Sequence, residues 1–415
     1  MNRRQFLSTA AAGAVSAASL PQASGGSATT RHASSHPLAA PPPEVQYFTQ
    51  ERLEKAIDTT LPIDHIDFKV ACYVCNLWHP TPVLEKWFGK NFSEWEVMKR
   101  AQPNFPGHQQ PKRPLWGIYP EDKVEWATRE IDLAASSGID IFMVDWYWHE
   151  GTMFLHEWLE NAFLKSPNRA KLKFSVMWAN HDWTNFYPSP ESGQEALLFP
   201  QTYSAADMDR MTGYLIDHYF HQPNYWTIDG KPVFGVFNPE ALIPRLGGPE
   251  QLRKIVDAMR DRCVKSGLKG LHLQASHGFT PGQTPLEAAG FESATRYHTF
   301  AGAGPRRAPW ADAAELTIKI WKEHAPALKI PYFPNCPVGW DPTPRYGARA
   351  LTFTNRTADQ YERLLQAAKY FVAAQKTTPP IITLANWNEW TEDHYLLPDE
   401  VHGYSYLEAV KRQFG

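Results

Sequence analysis

From residue 68 onward, short apolar runs alternate with longer stretches in which apolar side chains recur at helical spacing. The run FKVACYVC at 68–75 is β-branched and aromatic, the mark of a buried strand. After it, 121–140 places Val124, Ala127, Ile131, Leu133 and Ala134 on one helical face, with Gly138 as the stop. The order then repeats. Strand-type runs fall at 141–148, 172–180, 232–238, 271–277, 291–297 (the weakest), 331–336 and 380–387 (strongly apolar). Helical patterns fall at 152–164, 205–220, 249–267, 312–325, 357–375 and 404–413. Eight strands alternating with helices predict an α/β fold with a parallel sheet closed as a single (β/α)8 TIM barrel, assigned to residues 46–415. An open doubly wound sheet shares that periodicity. No GxGxxG or GxxxxGK[ST] follows any strand run, so the open sheet lacks its usual nucleotide-binding support.

The first 45 residues have another character. Arg3 and Arg4 precede Phe6, Leu7 and an Ala-rich, mildly apolar stretch. This is the layout of a twin-arginine signal peptide, expected over 1–23, with cleavage after Ala17, Ala18 or Ala23. Residues 24–45 are Pro, Ser, Ala and Gly with little to bury, and are expected to be a flexible linker. The apolar run is shorter than the ~20 residues that span a bilayer, so no stable membrane insertion is expected. The expected location is periplasmic or secreted.

Composition narrows the function. The 415 residues carry 41 basic and 44 acidic side chains, a net charge of -3. That balance argues against a nucleic-acid partner, because such affinity comes from neutralising phosphates. Four Cys in this length make no disulfide scaffold. Cys72 and Cys75 lie on a strand at an odd offset, which sends them to opposite faces, and Cys263 and Cys336 are isolated, so core packing is expected. Neither a metal nor a cofactor is expected. Aromatic residues reach 13%, with 16 Trp. Trp rarely buries completely, so several of these rings are expected to line a cleft for a carbohydrate.

In a barrel the chemistry sits at the C-terminal ends of the strands. Those positions are rich in acids, amides and rings. The candidate substrate contacts are Tyr147, Trp148, Trp178, Asn180, His181, Trp340, Asp341, Arg345, Asn388 and Trp390. The Pro-rich loop 101–122 adds His108 and Trp116. Asp145, Tyr297 and His298 also end strand runs. Glu389 and Glu392 are the candidate catalytic pair. Three residues apart in the turn after a strand, they can face one cavity, ringed by Trp387 and Trp390. Two carboxyls so placed have their pKa values pushed apart, leaving one acid and one base for glycosidic cleavage. A solvated acidic turn is the plain alternative. No GxSxG supports Ser-His-Asp hydrolysis.

Residues 92–117, VGWDPTPR at 338–345, ANWNEWTE at 385–392 and YSYLEAVK near the end carry a resemblance. The chain resembles the WbsX-like proteins, whose barrel is similar to glycoside hydrolase family ninety-nine, the endo-α-mannosidase group. The resemblance implies a (β/α)8 barrel acting on glycans without a metal. It implies that Glu389 assists the sugar's own 2-hydroxyl as internal nucleophile, through an anhydro-sugar intermediate, and that Glu392 is the general acid/base. The family usually has Gly after the second Glu, whereas this chain has Asp393 and His394. Three functions follow as expectations. They are an exported retaining endo-glycosidase, a glycosyltransferase of polysaccharide synthesis, and a non-catalytic glycan-binding barrel.

Overall fold

The computed structural model describes residues 46–415 apart from 191, 193 and 301–306. The signal peptide and linker expected over 1–45 lie outside the described residues. Eight parallel strands form the sheet: β1 Lys69–Val74, β2 Ile141–His149, β3 Lys173–Trp178, β4 Lys231–Val236, β5 His272–Ala275, β6 Ser293–Ala294, β7 Asn335–Pro337 and β8 Ile381–Ala385. Their order is β6-β5-β4-β3-β2-β1-β8-β7. A parallel bridge from Ala294 to Tyr332, just ahead of β7, closes the circle through Phe333 N–H to Ala294 O at 2.8 Å. The barrel predicted from the alternation of runs is the fold observed.

Outside the strands lie α1 Val124–Ser136, α2 Ala205–Leu215, α3 Pro249–Lys265, α4 Trp310–Ala327, α5 Ala358–Gln375 and α6 Ser405–Phe414. No helix among the described residues is long and apolar enough to cross a membrane. Gly138 ends α1 with φ 87°, and a Cβ there would lie 2.7 Å from the backbone of Phe414, so this turn and the seat of α6 both require glycine.

Two elements differ from the sequence pattern. The helix expected over 152–164 is replaced by a short strand, Thr152–Phe154, folded back on β2, then a π-helical turn Trp158–Ala162 and a 3-10 turn Phe163–Lys165. Trp158, Leu159 and Phe163 bury against the core, and the Trp158 indole donates to Glu130 Oε2 at 3.2 Å. Those anchors, rather than a helical repeat, set the segment's path. The strand expected over 331–336 begins at Asn335, because Pro331 and Pro334 have no N–H to give a ladder.

Strand parity separates two cores. Ala71, Tyr73, Ile141, Met143 and Met177 point into the barrel, while Val70, Cys72, Phe142, Val144, Trp146 and Val176 point out beneath the helices. All four cysteines are buried free thiols, as packing residues should be.

Candidate active site

The polar centre forms where inward-facing positions of the barrel strands run out at their C-terminal ends. Asp145 and Tyr147 share the inward parity of Ile141 and Met143 on β2. Tyr297 follows β6, and Asn386, Glu389 and Glu392 follow β8. Arg345, from the short helix Thr343–Tyr346 after β7, stands at the middle and is buried. Its Nη2 donates to Glu389 Oε1 at 3.1 Å and to Glu94 Oε1 at 2.7 Å, its Nε also reaches Glu94, and its Nη1 donates to Glu392 Oε1. Glu94 opens the helix Glu94–Arg100 and is fully buried.

The two candidate catalytic carboxyls have different surroundings. Glu389 Oε2 accepts from the Tyr297 hydroxyl at 2.8 Å and from Asn386 Nδ2 at 2.6 Å, in addition to Arg345 on Oε1. Three donors hold its charged form. Glu392 has only Arg345 on Oε1, and among the described residues its Oε2 has no protein partner. Burial first, and the neighbouring Glu389 second, push the Glu392 carboxyl up to about 8. One carboxyl thus has donors on both oxygens, and the other is raised far enough to carry a proton at neutral pH.

Glu389, Glu392 and His394 each offer a ligand-type atom within 4.8 Å of the other two. Both Glu389 oxygens are already engaged, and the Arg345 guanidinium supplies the positive charge between the two acids. A metal ion there would displace that cation, so these residues do not fit a resident metal.

Several expected contacts have other roles. Trp148 and Trp178 have outward parity and pack in the barrel–helix core; their indoles donate to Asp207 Oδ2 at 3.0 Å and to Trp148 O at 3.1 Å. Trp387 and Trp390 also turn outward, Trp387 onto Phe142 and Trp390 onto Tyr395, so the rings flanking the acids belong to the core and do not ring the cavity. Trp116 stacks beneath Arg129 and beside Trp126, in the helical layer. Asn180 ties β3 to β4 through Asn238, donating to its carbonyl and accepting from its N–H. Asn388 accepts from Cys75 N–H at 2.8 Å and faces Glu121, so it positions the turn.

His108 and Asp341 lock loops together. Asp341 accepts from His108 Nε2 at 2.7 Å and Gln110 Nε2 at 2.6 Å, and its own N–H donates to Glu392 O at 2.7 Å. These donors, with Lys112 nearby, hold the Asp341 carboxyl well below the usual carboxylate range despite its burial. The lock fixes the backbone of Glu392.

Of the expected contacts, Arg345 sits on both acids, Tyr147 points inward beside Asp145, His181 packs on Tyr147 at 6.0 Å, and Trp340 remains half-buried. Trp340 lies 5.9 Å from His394. Gly339 beside it has no room for a side chain, since a Cβ would meet Asp393 O at 2.5 Å. Asp393 has φ 57°, the backbone state that glycine takes freely, and is held there by Arg356 at 2.8 Å and Lys112 at 3.0 Å. The departure after the second Glu is therefore accommodated by two cations on the Asp side chain. Glu94 and Asn386 are site residues that the sequence did not single out. Glu94 lies in the segment 92–117 that carries the resemblance but has no spacing or periodicity that marks it, whereas strand parity marks Asp145.

Comparison with known proteins gives the fold and the family. Two solved structures share the fold. A glycoside hydrolase-like protein aligns with a TM-score of 0.59 at 14% identity, covering 87% of this chain and 99% of that one. The GH99 endo-α-mannosidase from Bacteroides thetaiotaomicron aligns with a TM-score of 0.57 at 15% identity, covering 84% and 97%. At that identity the likeness is one of fold. Among curated sequences, the WxcX proteins of two strains of Xanthomonas campestris pv. campestris are 25% identical over 373 residues, covering 86% of this chain. The chain spans about half the length of these relatives (50%). The family described as glycosyltransferase WbsX matches residues 70–410, which runs from β1 to α6 and includes every residue of the carboxylate–arginine centre, so the chain belongs to the WbsX family.

Proposed function

We propose that the protein is a glycoside hydrolase, a retaining endo-glycosidase that cleaves a polysaccharide or other glycan outside the cytoplasm. The observation that carries this reading is the unequal pair at the end of β8. Glu389 accepts from Arg345, Tyr297 and Asn386, while Glu392 is raised to about 8 and has an oxygen with no partner among the described residues. Such a split assigns base and acid. Glu389 removes the proton of the sugar 2-hydroxyl, whose oxygen attacks the anomeric carbon. Glu392 protonates the departing glycosidic oxygen, and the product is an anhydro sugar. Glu392, now a carboxylate, takes a proton from water as that water opens the anhydro ring, and Glu389 returns its proton to the 2-hydroxyl. Two displacements retain configuration.

The family description favours a second reading, glycosyl transfer. Incubation with a fluorescent glycan panel, with and without nucleotide sugars, separates the two. Cleavage without donor is the expected result; product formed only with a nucleotide sugar would replace the hydrolase by a transferase. Retention of glycan without turnover would make the barrel a binding module. Export rests on Arg3 and Arg4. Changing both to Lys should leave the precursor in the cytoplasm, and normal export of that variant would refute the twin-arginine route.

A further inference from the structure

The Tyr297 hydroxyl has three polar neighbours. Asp145 Oδ2 is at 2.9 Å, Glu389 Oε2 at 2.8 Å, and Asn386 Nδ2 donates to it. A phenol has one proton and two lone pairs. The amide uses one lone pair, and the single O–H can serve only one carboxyl. If Asp145 and Glu389 were both ionised, one of the two contacts would set an oxygen lone pair against another. The cluster therefore needs one more proton, carried by a carboxyl that donates to the second lone pair.

The surroundings decide which carboxyl has it. Glu389 has Arg345 and Asn386 on its oxygens as well as Tyr297, all of which favour the anion. Asp145 is 4% exposed, and its Oδ1 has no partner among the described residues. An ionised Asp145 would hold a buried charge with one oxygen neither solvated nor bonded. The other groups facing it are Glu392, a second carboxyl that repels an ionised Asp145 whenever it loses its own proton, and Arg345, which is already bonded to three other carboxyl groups.

We propose that Asp145 is kept as a neutral carboxylic acid that donates its proton to the Tyr297 oxygen, thereby locking the tyrosine O–H onto Glu389. Asp145 is then a positioning residue. It acts through Tyr297 and fixes both the orientation and the charge of the base. Its place in catalysis rests on the hydrolase reading above, whereas its protonation does not.

The test uses the full chain labelled with [4-¹³C]aspartate. The carboxyl resonance absent from Asp145→Asn identifies Asp145, and it is expected at the shift of a protonated acid at pH 7. The kinetic arm compares Asp145→Asn with Asp145→Ala on whichever glycan the wild type cleaves. An Asn amide can replace the donated hydrogen bond, so Asp145→Asn should be at least tenfold more active than Asp145→Ala. The Ala variant should lose on the order of 10²-fold in kcat with KM little changed, as expected for a misplaced catalytic group. An ionised Asp145 at pH 7, or an Asn variant no better than Ala, overturns the proposal. If the wild type cleaves no glycan, that failure belongs to the hydrolase reading, and the resonance alone decides where the proton sits.

Discussion

Two buried carboxyl clusters lie on either side of Asn388. One is the strand-end centre of Glu94, Asp145, Glu389 and Glu392 around Arg345. The other joins Glu121 and Glu130 to His79, Tyr119 and Trp158 between β1 and α1. Both contain strongly shifted groups. Burial pushes Glu130 up to about 8, as it does Glu392. A shifted pKa therefore does not distinguish them. Hydrogen-bond accounting does. Glu121 accepts from Trp78 N–H, His79 Nδ1 and Asn388 Nδ2, and Glu130 accepts from Tyr119 and Trp158, so every oxygen is engaged. At the strand ends, Glu392 Oε2 and Asp145 Oδ1 have no partner among the described residues. A closed cluster contributes to the fold, and an open one keeps capacity for something else.

The largest expected effect is on the open cluster. On the proposed mechanism Glu389→Gln should lower kcat/KM by on the order of 10²-fold or more for every substrate, since the base would assist whatever group leaves. Glu392→Gln should lose as much on a natural glycan and recover in part with an activated aryl or fluoride leaving group. Both should keep the thermal midpoint close to wild type. Rescue of Glu389→Gln instead would exchange the two roles.

Charge removal should then separate the clusters by stability. Arg345→Met strands Glu94, Glu389 and Glu392, and should cost about 3–5 kcal/mol along with activity. His79→Leu removes the cation facing Glu121 and should cost stability while leaving kcat/KM per folded molecule within a few-fold. A His79→Leu protein that is stable but inactive would erase the distinction.

The tryptophans offer a contrast of the same kind. Trp178→Ala should cost about 3–5 kcal/mol as a core truncation, with unchanged kinetics per folded molecule. Trp340→Ala, at the half-buried rim, should leave stability intact and raise KM by up to about tenfold, the value of one lost ring contact.

Smallest and most graded is pH. If Glu392 is the acid of the proposed mechanism it acts when protonated, so kcat/KM should hold below about 8 and fall above it. Its raised value also stabilises the fold fully below its ordinary 4.5, an effect lost as pH rises through about 8. His79 is raised to about 9 by Glu121 and Glu157 against its burial, so its contribution, complete below 6.5, is lost as pH rises through about 9. The first limb should vanish from both the activity and the stability profiles of Glu392→Gln. The second should vanish only from the stability profile of His79→Leu. An activity profile without an alkaline limb near 8 would remove Glu392 as the acid.

The barrel was legible because each strand run has both faces buried and each helix only one, a difference that periodicity records directly. The tip of β8 was legible too, since Glu389 and Glu392 follow the most apolar run of the chain. The tryptophans were misread because proximity in sequence to an acid says nothing about side-chain direction. Parity along β2 places Trp146 and Trp148 outward and Asp145 and Tyr147 inward, and counting it separates Asp145 from the tryptophans on either side.

The sequence by itself determined the alternation of elements, the position of the strand ends and the chemical types gathered there, because these follow from local periodicity and connectivity. Only the tertiary structure decided which of those groups meet. Arg345 reaches Glu94, 251 residues away in the chain, and Tyr297 joins Asp145 to Glu389 from across the barrel. Protonation follows from those meetings. Burial, neighbouring charge and the number of available donors are properties of the assembled site, and no stretch of sequence contains them.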